Sequence, residues 1–173
     1  PVWISTFHRF CARLLRRYAN LVGLEPGYSI YDTGDSKQTL KRAIVELELE
    51  LNHITPERVA GEISWAKNNL IVAAKYQARQ GSEVGEVVAG LYPAYQQLLR
   101  RANAVDFDDL LLYIAVLLRE NEHLRAELDE RYRYVLVDEY QDTNLAQYAI
   151  ARALSIDAPN LAVTGDPDQS IYG

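Results

Sequence analysis

Two short apolar runs, separated by one amphipathic segment, constrain the fold of this chain more than any other feature. Residues 134–137 (YVLV) form a continuous apolar run, and residues 161–163 (LAV) form a second one. A strand that is covered on both faces of a parallel sheet has this pattern. Residues 144–154, between the two runs, have apolar side chains at helical spacing. Strand, helix and strand at this length predict a right-handed βαβ unit, and therefore an α/β fold.

Residues 24–104 have a different character, because helical patterns alternate there with turn residues and few strand-like runs occur. A turn is predicted at residues 33–36, with Asp35 or Ser36 capping a helix that extends to about Leu51. We therefore expect a small helical subdomain in this part of the chain.

Two more helices are predicted within the same subdomain. Thr55 followed by Pro56 is typical of a helix start, because proline suits the first turn, and this helix should extend to about Asn68. The second helix should span residues 83–101. Its expected inward side chains are Leu91, Tyr95, Leu98 and Leu99.

The first 23 residues predict a strand followed by a helix. Residues 2–4 (VWI) are an apolar run, Thr6 is a favourable N-cap, and Gly23 should end the helix. One face of this helix is apolar and the other carries arginines. That basic face either follows the phosphates of a nucleic acid or is simply solvated. Its arginines are Arg9, Arg13 and Arg16.

A further helix is predicted after Asp106, because Asp106 and Asp109 suit a helix start and an apolar stripe follows them. The charged residues 119–133 predict a solvated helix and a turn. The side chains expected on the buried face of the helix after Asp106 are Phe107, Leu110, Leu111, Ile114, Leu117 and Leu118.

The composition fits a globular protein and argues against several other classes. The apolar fraction is 49% and the charged fraction is 24%, which is ordinary for a domain with a real core. No apolar run approaches the ~18 residues of a membrane span. The single cysteine, Cys11, excludes an internal disulfide, so we expect a cytoplasmic protein without membrane contact. The net charge of -6 argues mildly against a free-standing nucleic-acid binder, since those are usually basic.

Both late apolar runs are followed by acidic and polar residues. Asp138 and Glu139 follow the first run directly, and Gln169 lies in the loop after the second. Ligands of open α/β sheets bind outside the carboxyl ends of the strands, so these side chains predict a metal or phosphate site. Asp138 suits Mg²⁺, Glu139 suits the activation of a water molecule, and Gln169 suits contact with a phosphate. The alternative interpretation is that the acidic pair only caps the next helix.

The sequence strings at these positions resemble the motifs of a known family. Residues 135–144 (VLVDEYQDTN) are similar to motif II of superfamily one helicases of the UvrD/Rep/PcrA type, and residues 165–172 (GDPDQSIY) are similar to motif III. Residues 5–8 (STFH) resemble motif Ib. Residues 105–110 (VDFDDL) resemble the segment where the chain returns from the inserted lobe 1B to the ATPase lobe 1A. The matches occur in the family order and span nearly the whole chain.

This resemblance implies a partial RecA-like (P-loop NTPase) parallel sheet with an inserted helical subdomain. Residues 1–23 would be the N-terminal part of lobe 1A, residues 24–104 lobe 1B, and residues 105–173 the C-terminal part of lobe 1A with motifs II and III. The sequence contains no Gly-x-x-x-x-Gly-Lys-Ser/Thr loop, whose backbone cradles phosphates in such enzymes. We therefore expect an internal fragment of a helicase that is inactive in isolation.

The resemblance also implies a role for each residue at the end of the two strands. Asp138 would bind Mg²⁺, and Glu139 would be the base for the water that attacks ATP. Gln169 would contact the γ-phosphate and couple it to DNA. Gln141 and Asp142 would support this coupling.

A second group of residues would bind DNA if the resemblance holds. Thr6, Phe7 and His8 would touch single-stranded DNA. Tyr172 would stack on a base, an interaction worth about 1–3 kcal/mol that tolerates any sequence. The alternatives are a core position for Phe7, a backbone-positioning role for His8 and packing on its own domain for Tyr172.

Helicases of this type use Mg-ATP to move 3′ to 5′ along single-stranded DNA and to unwind duplexes in DNA repair or replication. The expected partners are therefore ATP, single-stranded DNA and junctions of single- and double-stranded DNA. The same motifs are also compatible with two alternatives. One is the helicase portion of an AddA/RecB-like helicase-nuclease, and the other is a non-catalytic DNA-binding clamp. A clamp should have lost Asp138, Glu139 or Gln169, and all three are present. A metal-dependent phosphohydrolase, a third option, should show a fuller carboxylate cluster.

Overall fold

The computed structural model describes residues 2–157, 159–166 and 168, so the predictions made for Gln169 and Tyr172 lie outside the described residues. The helices are α1 (Phe7–Tyr18), α2 (Thr33–Glu46), α3 (Pro56–Asn68), α4 (Glu83–Arg101), α5 (Phe107–Glu120), α6 (Glu122–Arg131) and α7 (Leu145–Ala153). The strands are β1 (Ser29–Ile30), β2 (Ala104–Val105), β3 (Val135–Val137) and β4 (Leu161–Val163). Short 3₁₀ turns cover Ala19–Val22, Ala73–Lys75 and Tyr140–Asp142.

Both pairs of described strands are parallel, and this mixture of helices and short parallel strands is compatible with a partial α/β domain. β1 pairs with β2, and β3 pairs with β4 in the register Val135↔Leu161 and Val137↔Val163. Helix α7 connects β3 to β4, as the βαβ pattern predicts. No helix within the described residues is long and apolar enough to cross a membrane.

Apolar side chains form two separate cores. One core draws on residues 11–28 and 105–154, so α1, α5, α6 and α7 pack together around it. The other core draws on residues 40–104 and is built by α2, α3 and α4. The short ladder between β1 and β2 ties the two chain segments that run between these cores.

Both ends of α3, both ends of α4 and the end of the first helical segment agree with the predictions. The Thr55 hydroxyl accepts a hydrogen bond from Arg58 N, Pro56 is the first helical residue, and α3 ends at Asn68. Helix α4 spans residues 83–101, and its four predicted inward side chains are buried. At the end of the first helical segment, Gly23 adopts φ 76°, a left-handed conformation that suits glycine.

The start and end of α2 differ from the prediction. The N-cap is Asp32, whose carboxylate accepts from Asp35 N at 2.9 Å, and Asp35 is therefore inside the first turn. Residues 33–36 are helical rather than a turn. The helix ends at Glu46 because Glu48 adopts a left-handed φ of 50°, which an α-helix cannot contain.

The predicted strand at residues 2–4 is absent, and these residues are irregular. A strand needs a neighbouring ladder partner, and no described segment pairs with this one. The segment is held by side chains instead: the Trp3 ring lies 5.3 Å from that of Phe10 and 6.2 Å from that of Tyr132. The Arg13 guanidinium lies 4.7 Å from the Trp3 ring centroid, a cation–π contact.

Two burial predictions are also corrected. Phe107 was expected in the core but is 49% exposed, because it is the first residue of α5 and packs its edge on His8 instead. β3 was expected to be covered on both faces. Val137 is 5% exposed, but Leu136, which points to the opposite face, is 68% exposed in the described part of the chain.

Candidate functional site

The register of β3 and β4 places Asp138 beside Thr164 at the carboxyl edge of the ladder. Val137 and Val163 are partners in the ladder, so the next residues of the two strands emerge together. Thr164 N donates to Val137 O at 2.8 Å, and Tyr140 N donates to Thr164 O at 2.9 Å. The Thr164 hydroxyl donates to Asp138 Oδ1 at 2.6 Å.

Asp138 is exposed, and neutral donors stabilise its ionised form. The Thr164 hydroxyl and the backbone N–H of Glu139, at 3.0 Å, hold the pKa of the Asp138 carboxyl below its usual value. Both hydrogen bonds are accepted by Oδ1. A carboxylate fixed in this way is a suitable ligand for a hard cation, because Mg²⁺ prefers oxygen ligands.

Glu139 follows in a strained backbone conformation. Its φ of 50° and ψ of 45° lie in the left-handed region, which costs energy for a residue with a side chain. This conformation turns the chain sharply into the 3₁₀ turn Tyr140–Asp142. The Glu139 carboxylate is exposed, and its Oε2 accepts a hydrogen bond from Gln141 Nε2 at 2.5 Å.

Gln141 joins the two loops that follow β3 and β4. While its amide nitrogen donates to Glu139, its Oε1 accepts from Asp166 N at 3.2 Å. Gly165 makes this approach possible, because a Cβ at that position would collide with the Gln141 side chain. The other residue predicted to couple, Asp142, is exposed and donates its backbone N–H to Glu139 O at 3.0 Å.

The donor set at this edge fits a magnesium–nucleotide complex better than a metal held by protein alone. No group of three or more His, Cys, Asp or Glu side chains able to hold a metal occurs among the described residues. Mg²⁺ commonly takes one or two carboxylates and completes its octahedron with substrate phosphates and water. Asp138 can supply such a carboxylate.

The predicted DNA segment lies at the N-terminus of α1. The Thr6 hydroxyl accepts from Arg9 N at 3.3 Å and so caps the helix, while the residue itself is exposed. Phe7 is half-buried and packs against the core, in line with the alternative interpretation of its role. The ring of His8 lies 6.0 Å from the ring of Phe107 in an edge contact.

His8 is held mostly neutral near pH 7. Burial lowers the pKa of its imidazole, and the carboxylate of Asp108 opposes this only in part. A neutral His8 can still donate and accept hydrogen bonds but does not add positive charge at this position.

The arginine face of α1 makes several contacts within the chain. Arg13 stacks on Trp3, and the Arg16 guanidinium lies 3.7 Å from the centroid of the Tyr28 ring and donates to the carbonyl oxygens of Pro26 and Tyr28. These contacts support a bracing role for Arg13 and Arg16.

A buried charge cluster, which no sequence pattern indicated, joins the two cores. The Lys67 ammonium on α3 lies 2.6 Å from Asp106 Oδ2 and 2.7 Å from Asp109 Oδ1. The Tyr95 hydroxyl donates to Asp106 at 2.8 Å, and Gln96 Nε2 donates to Asp109 at 3.0 Å. Asp106 and Asp109 also form the capping box of α5, which is the one part of the cluster visible as a local signal.

The charge states in this cluster follow from burial and from the shared lysine. Burial alone would lower the pKa of Lys67, but the carboxylates of Asp109 and Asp106 raise it well above its usual value. Burial raises the pKa of Asp109 to about 6 even though Lys67 opposes the shift. For Asp106, burial raises the pKa, but the Lys67 charge and the hydrogen bonds from Lys67, the Asp109 N–H and Tyr95 together outweigh burial and lower it.

Sequence reasoning also missed Thr164, Asn68 and Asn144. Thr164 could have been found, because it directly follows an apolar run that is aligned with the run before Asp138. Asn144 caps α7, and its Nδ2 donates to Asn68 Oδ1 at 2.6 Å. Nothing in the sequence indicates this contact, since the two residues are 76 positions apart.

Taken together, the short parallel ladders and the helices around them are compatible with a partial α/β domain whose polar residues lie where two adjacent strands end. The whole chain, residues 1–173, matches the UvrD/REP helicase N-terminal domain, and the protein belongs to this family.

Three relatives share similar levels of identity with the chain. It is 41% identical over 172 residues to a Leuconostoc citreum protein named ATP-dependent DNA helicase PcrA, covering 99% of this chain and 23% of that protein. Proteins of the same name from Staphylococcus aureus and Bacillus subtilis are 38% and 37% identical, again over 99% of this chain. The chain thus spans about 23% to 24% of the length of these relatives.

Proposed function

We propose that this chain carries part of the ATPase motor of an ATP-dependent DNA helicase, with the reaction centred on Asp138 and Glu139. The observation that supports this most directly is the convergence at the end of the β3–β4 ladder. There the Thr164 hydroxyl holds Asp138 at 2.6 Å, and Gln141 ties Glu139 to the loop after β4. The family and the names of the relatives agree with this assignment.

In this proposal, Asp138 binds the Mg²⁺ of Mg-ATP through its carboxylate, together with phosphate oxygens and water. Bound Mg²⁺ supplies positive charge against the negative charge of the phosphates that react. The lowered pKa of Asp138 keeps the carboxylate ionised for this task.

Glu139 acts as the general base in the same proposal. It accepts a proton from the water that attacks the γ-phosphate, and the Gln141 amide orients its carboxylate by donating to Oε2. The left-handed backbone of Glu139 leads the chain into the turn Tyr140–Asp142, which contains the Gln141 that bonds the Glu139 carboxylate.

The arrangement of lobes is part of the same proposal. The core formed by residues 11–28 and 105–154 would belong to a RecA-like lobe 1A, and the core formed by residues 40–104 would be an inserted lobe 1B. The sequence itself lacks a Gly-x-x-x-x-Gly-Lys-Ser/Thr loop, so this chain alone should not hydrolyse ATP.

The DNA part of the proposal rests on the resemblance and on the position of Thr6, Phe7 and His8. These residues would contact single-stranded DNA, with movement 3′ to 5′ and unwinding at junctions in repair or replication. The exposed Thr6 and the half-buried His8 are accessible for such contacts. The roles of Gln169 and Tyr172 stay predictions.

The central test is Glu139→Gln in the full-length gene product. Nucleotide binding should persist, because the amide keeps the shape of the side chain. DNA-stimulated ATP turnover should fall by roughly 10²- to 10⁴-fold, the usual contribution of a general base. Nucleotide titration measures the binding, and phosphate release measures the turnover.

Glu130→Gln is the matched control, because Glu130 is an exposed glutamate on α6 outside this site. Its turnover should equal that of the wild type. Turnover of Glu139→Gln within about threefold of the wild type would remove Glu139 as the base.

A further inference from the structure

A short chain of hydrogen bonds connects the segment after Glu139 to the start of α5. Asn144, the N-cap of α7, lies two residues after the turn Tyr140–Asp142. Its Nδ2 donates to Asn68 Oδ1 at 2.6 Å, and Asn68 Nδ2 donates to Asp108 Oδ1 at 3.0 Å and, within α3, to Ser64 O at 2.9 Å. Three helix ends therefore meet here: the start of α7, the end of α3 and the start of α5.

The chemistry at each end fixes the direction of these bonds. Asn144 Oδ1 accepts from Gln147 N at 2.9 Å, so only its amide nitrogen is available to Asn68. An ionised Asp108 carboxylate is only an acceptor, so it requires the amide nitrogen of Asn68. Asn68 must then present its oxygen to Asn144. The Asn144 and Asn68 amides therefore each have one orientation that satisfies all of these bonds. A change at Asn144 or at Asp108 alters the hydrogen bonds available to the other residue through Asn68.

The far end of the chain reaches the predicted DNA segment. Asp108 is the neighbour of Phe107, and the Phe107 ring makes the edge contact with His8 at 6.0 Å. His8 follows Thr6 and Phe7 at the start of α1. Asn68 also lies next to Lys67, whose ammonium holds the first turn of α5 through Asp106 and Asp109. The start of α5 therefore contacts the Lys67 ammonium on one side and His8 on the other.

We propose that Asn68 and Asn144 are positioning residues that couple DNA binding at Thr6–His8 to ATP hydrolysis at Asp138 and Glu139. This inference rests on the proposed function. A displacement of the segment after Glu139 moves the N-cap of α7, and the Asn144–Asn68–Asp108 bonds carry it to the start of α5. Neither asparagine contacts the reacting atoms in this proposal.

The test is DNA stimulation of the ATPase, expressed as the ratio of stimulated to basal turnover in the full-length gene product. Asn68→Ala should lower this ratio about 5- to 10-fold, at the lower end of typical coupling between sites. Basal turnover should change by less than about twofold. Asn69→Ala is the matched control: Asn69 is at the same helix end, but among the described residues its Nδ2 donates to Trp65 O alone, at 2.8 Å, within α3.

A second variant separates coupling from folding. Asn144→Asp keeps the cap on Gln147 N–H, because aspartate is an equally good N-cap, but it cannot donate to Asn68. It should lower the ratio as much as Asn68→Ala does, and the double variant should lose no more than either single one.

Several results would overturn the proposal. A ratio for Asn68→Ala equal to that of Asn69→Ala would do so, as would additive losses in the double variant. Glu139→Gln distinguishes this failure from that of the proposed function. If Glu139→Gln abolishes turnover while Asn68→Ala keeps the wild-type ratio of stimulated to basal turnover, only the proposed coupling through Asn68 is wrong. If Glu139→Gln retains turnover, the proposed function itself is wrong.

Discussion

Two acidic regions of this molecule look alike in sequence and differ in surroundings. Asp106 and Asp109 are buried where the two cores meet, and each lies within 2.7 Å of the Lys67 ammonium. Asp138 and Glu139 are exposed at the end of β3, and their hydrogen-bond donors are a hydroxyl, a backbone N–H and an amide. The first pair has its positive charge within the chain, whereas the second is held in place by neutral groups.

This difference is the one expected between a structural carboxylate and a carboxylate with the role proposed for Asp138 and Glu139. Burying charge is costly unless a partner compensates it, so the Lys67 cluster exists only because the fold supplies both signs. Neutral donors fix the position of Asp138 and Glu139 while leaving their negative charge available. The exposed pair can therefore take up a cation from solution, whereas the buried pair already has the Lys67 ammonium as its counter-charge.

The largest expected effect is at the buried pair. Lys67→Met keeps the volume of the side chain but leaves two buried carboxylates without a counter-charge. The free energy of unfolding should fall by about 3–5 kcal/mol, measured by urea denaturation. Lys75→Met, at an exposed lysine, should change it by less than about 0.5 kcal/mol.

Adding Asp109→Asn to Lys67→Met should recover part of the lost stability, because one of the two uncompensated charges is removed. A loss below about 1 kcal/mol in Lys67→Met would mean that the cluster is not a charge-compensated unit. The buried pair would then not differ from the exposed pair in its need for a positive partner.

A smaller effect should appear in the pH dependence of stability. The pKa of Asp109 is about 6 in the folded protein, above its ordinary value of 3.8, so the native state keeps a proton that the unfolded state releases. This contribution to stability is complete below about pH 4 and is lost as the pH rises through about 6.

Asp109→Asn removes that titration. Between about pH 4 and pH 7, the free energy of unfolding of the wild type should decline relative to the variant by roughly 1–3 kcal/mol, at 1.36 kcal/mol per unit of pKa shift. The comparison uses urea denaturation of both proteins at each pH. Parallel curves over this range would show that Asp109 is ionised throughout, and that the buried pair needs no shared proton.

The sequence predicted those features that depend on neighbouring residues. Thr55 with Pro56 and Asp106 with Asp109 marked helix starts correctly, because a capping side chain bonds backbone only three positions away. The order of β3, α7 and β4 similarly indicated parallel strands and placed Asp138 at their carboxyl edge.

Features that depend on distant partners were missed or wrong. Lys67 and Asp106 are 39 positions apart, and no periodic pattern shows that a lysine on an apolar helix face will meet two carboxylates. The apolar run at residues 2–4 has strand-like composition, but strand formation requires a ladder partner that composition does not reveal. Capping was misplaced at Asp35 because Asp32, three residues earlier, forms the same type of bond.

The smallest expected effect on the free energy of unfolding is at the exposed pair, at Asp138. Asp138→Asn removes the charge but keeps an oxygen that can accept from the Thr164 hydroxyl and from Glu139 N. Because the side chain is exposed, the free energy of unfolding should change by less than about 0.5 kcal/mol, whereas Mg-ATP turnover in the full-length gene product should be nearly lost. Urea denaturation and phosphate release measure the two effects. A stability loss above about 2 kcal/mol would place Asp138 with Asp106 as a structural carboxylate, since surface changes of that size need a specific structural cause.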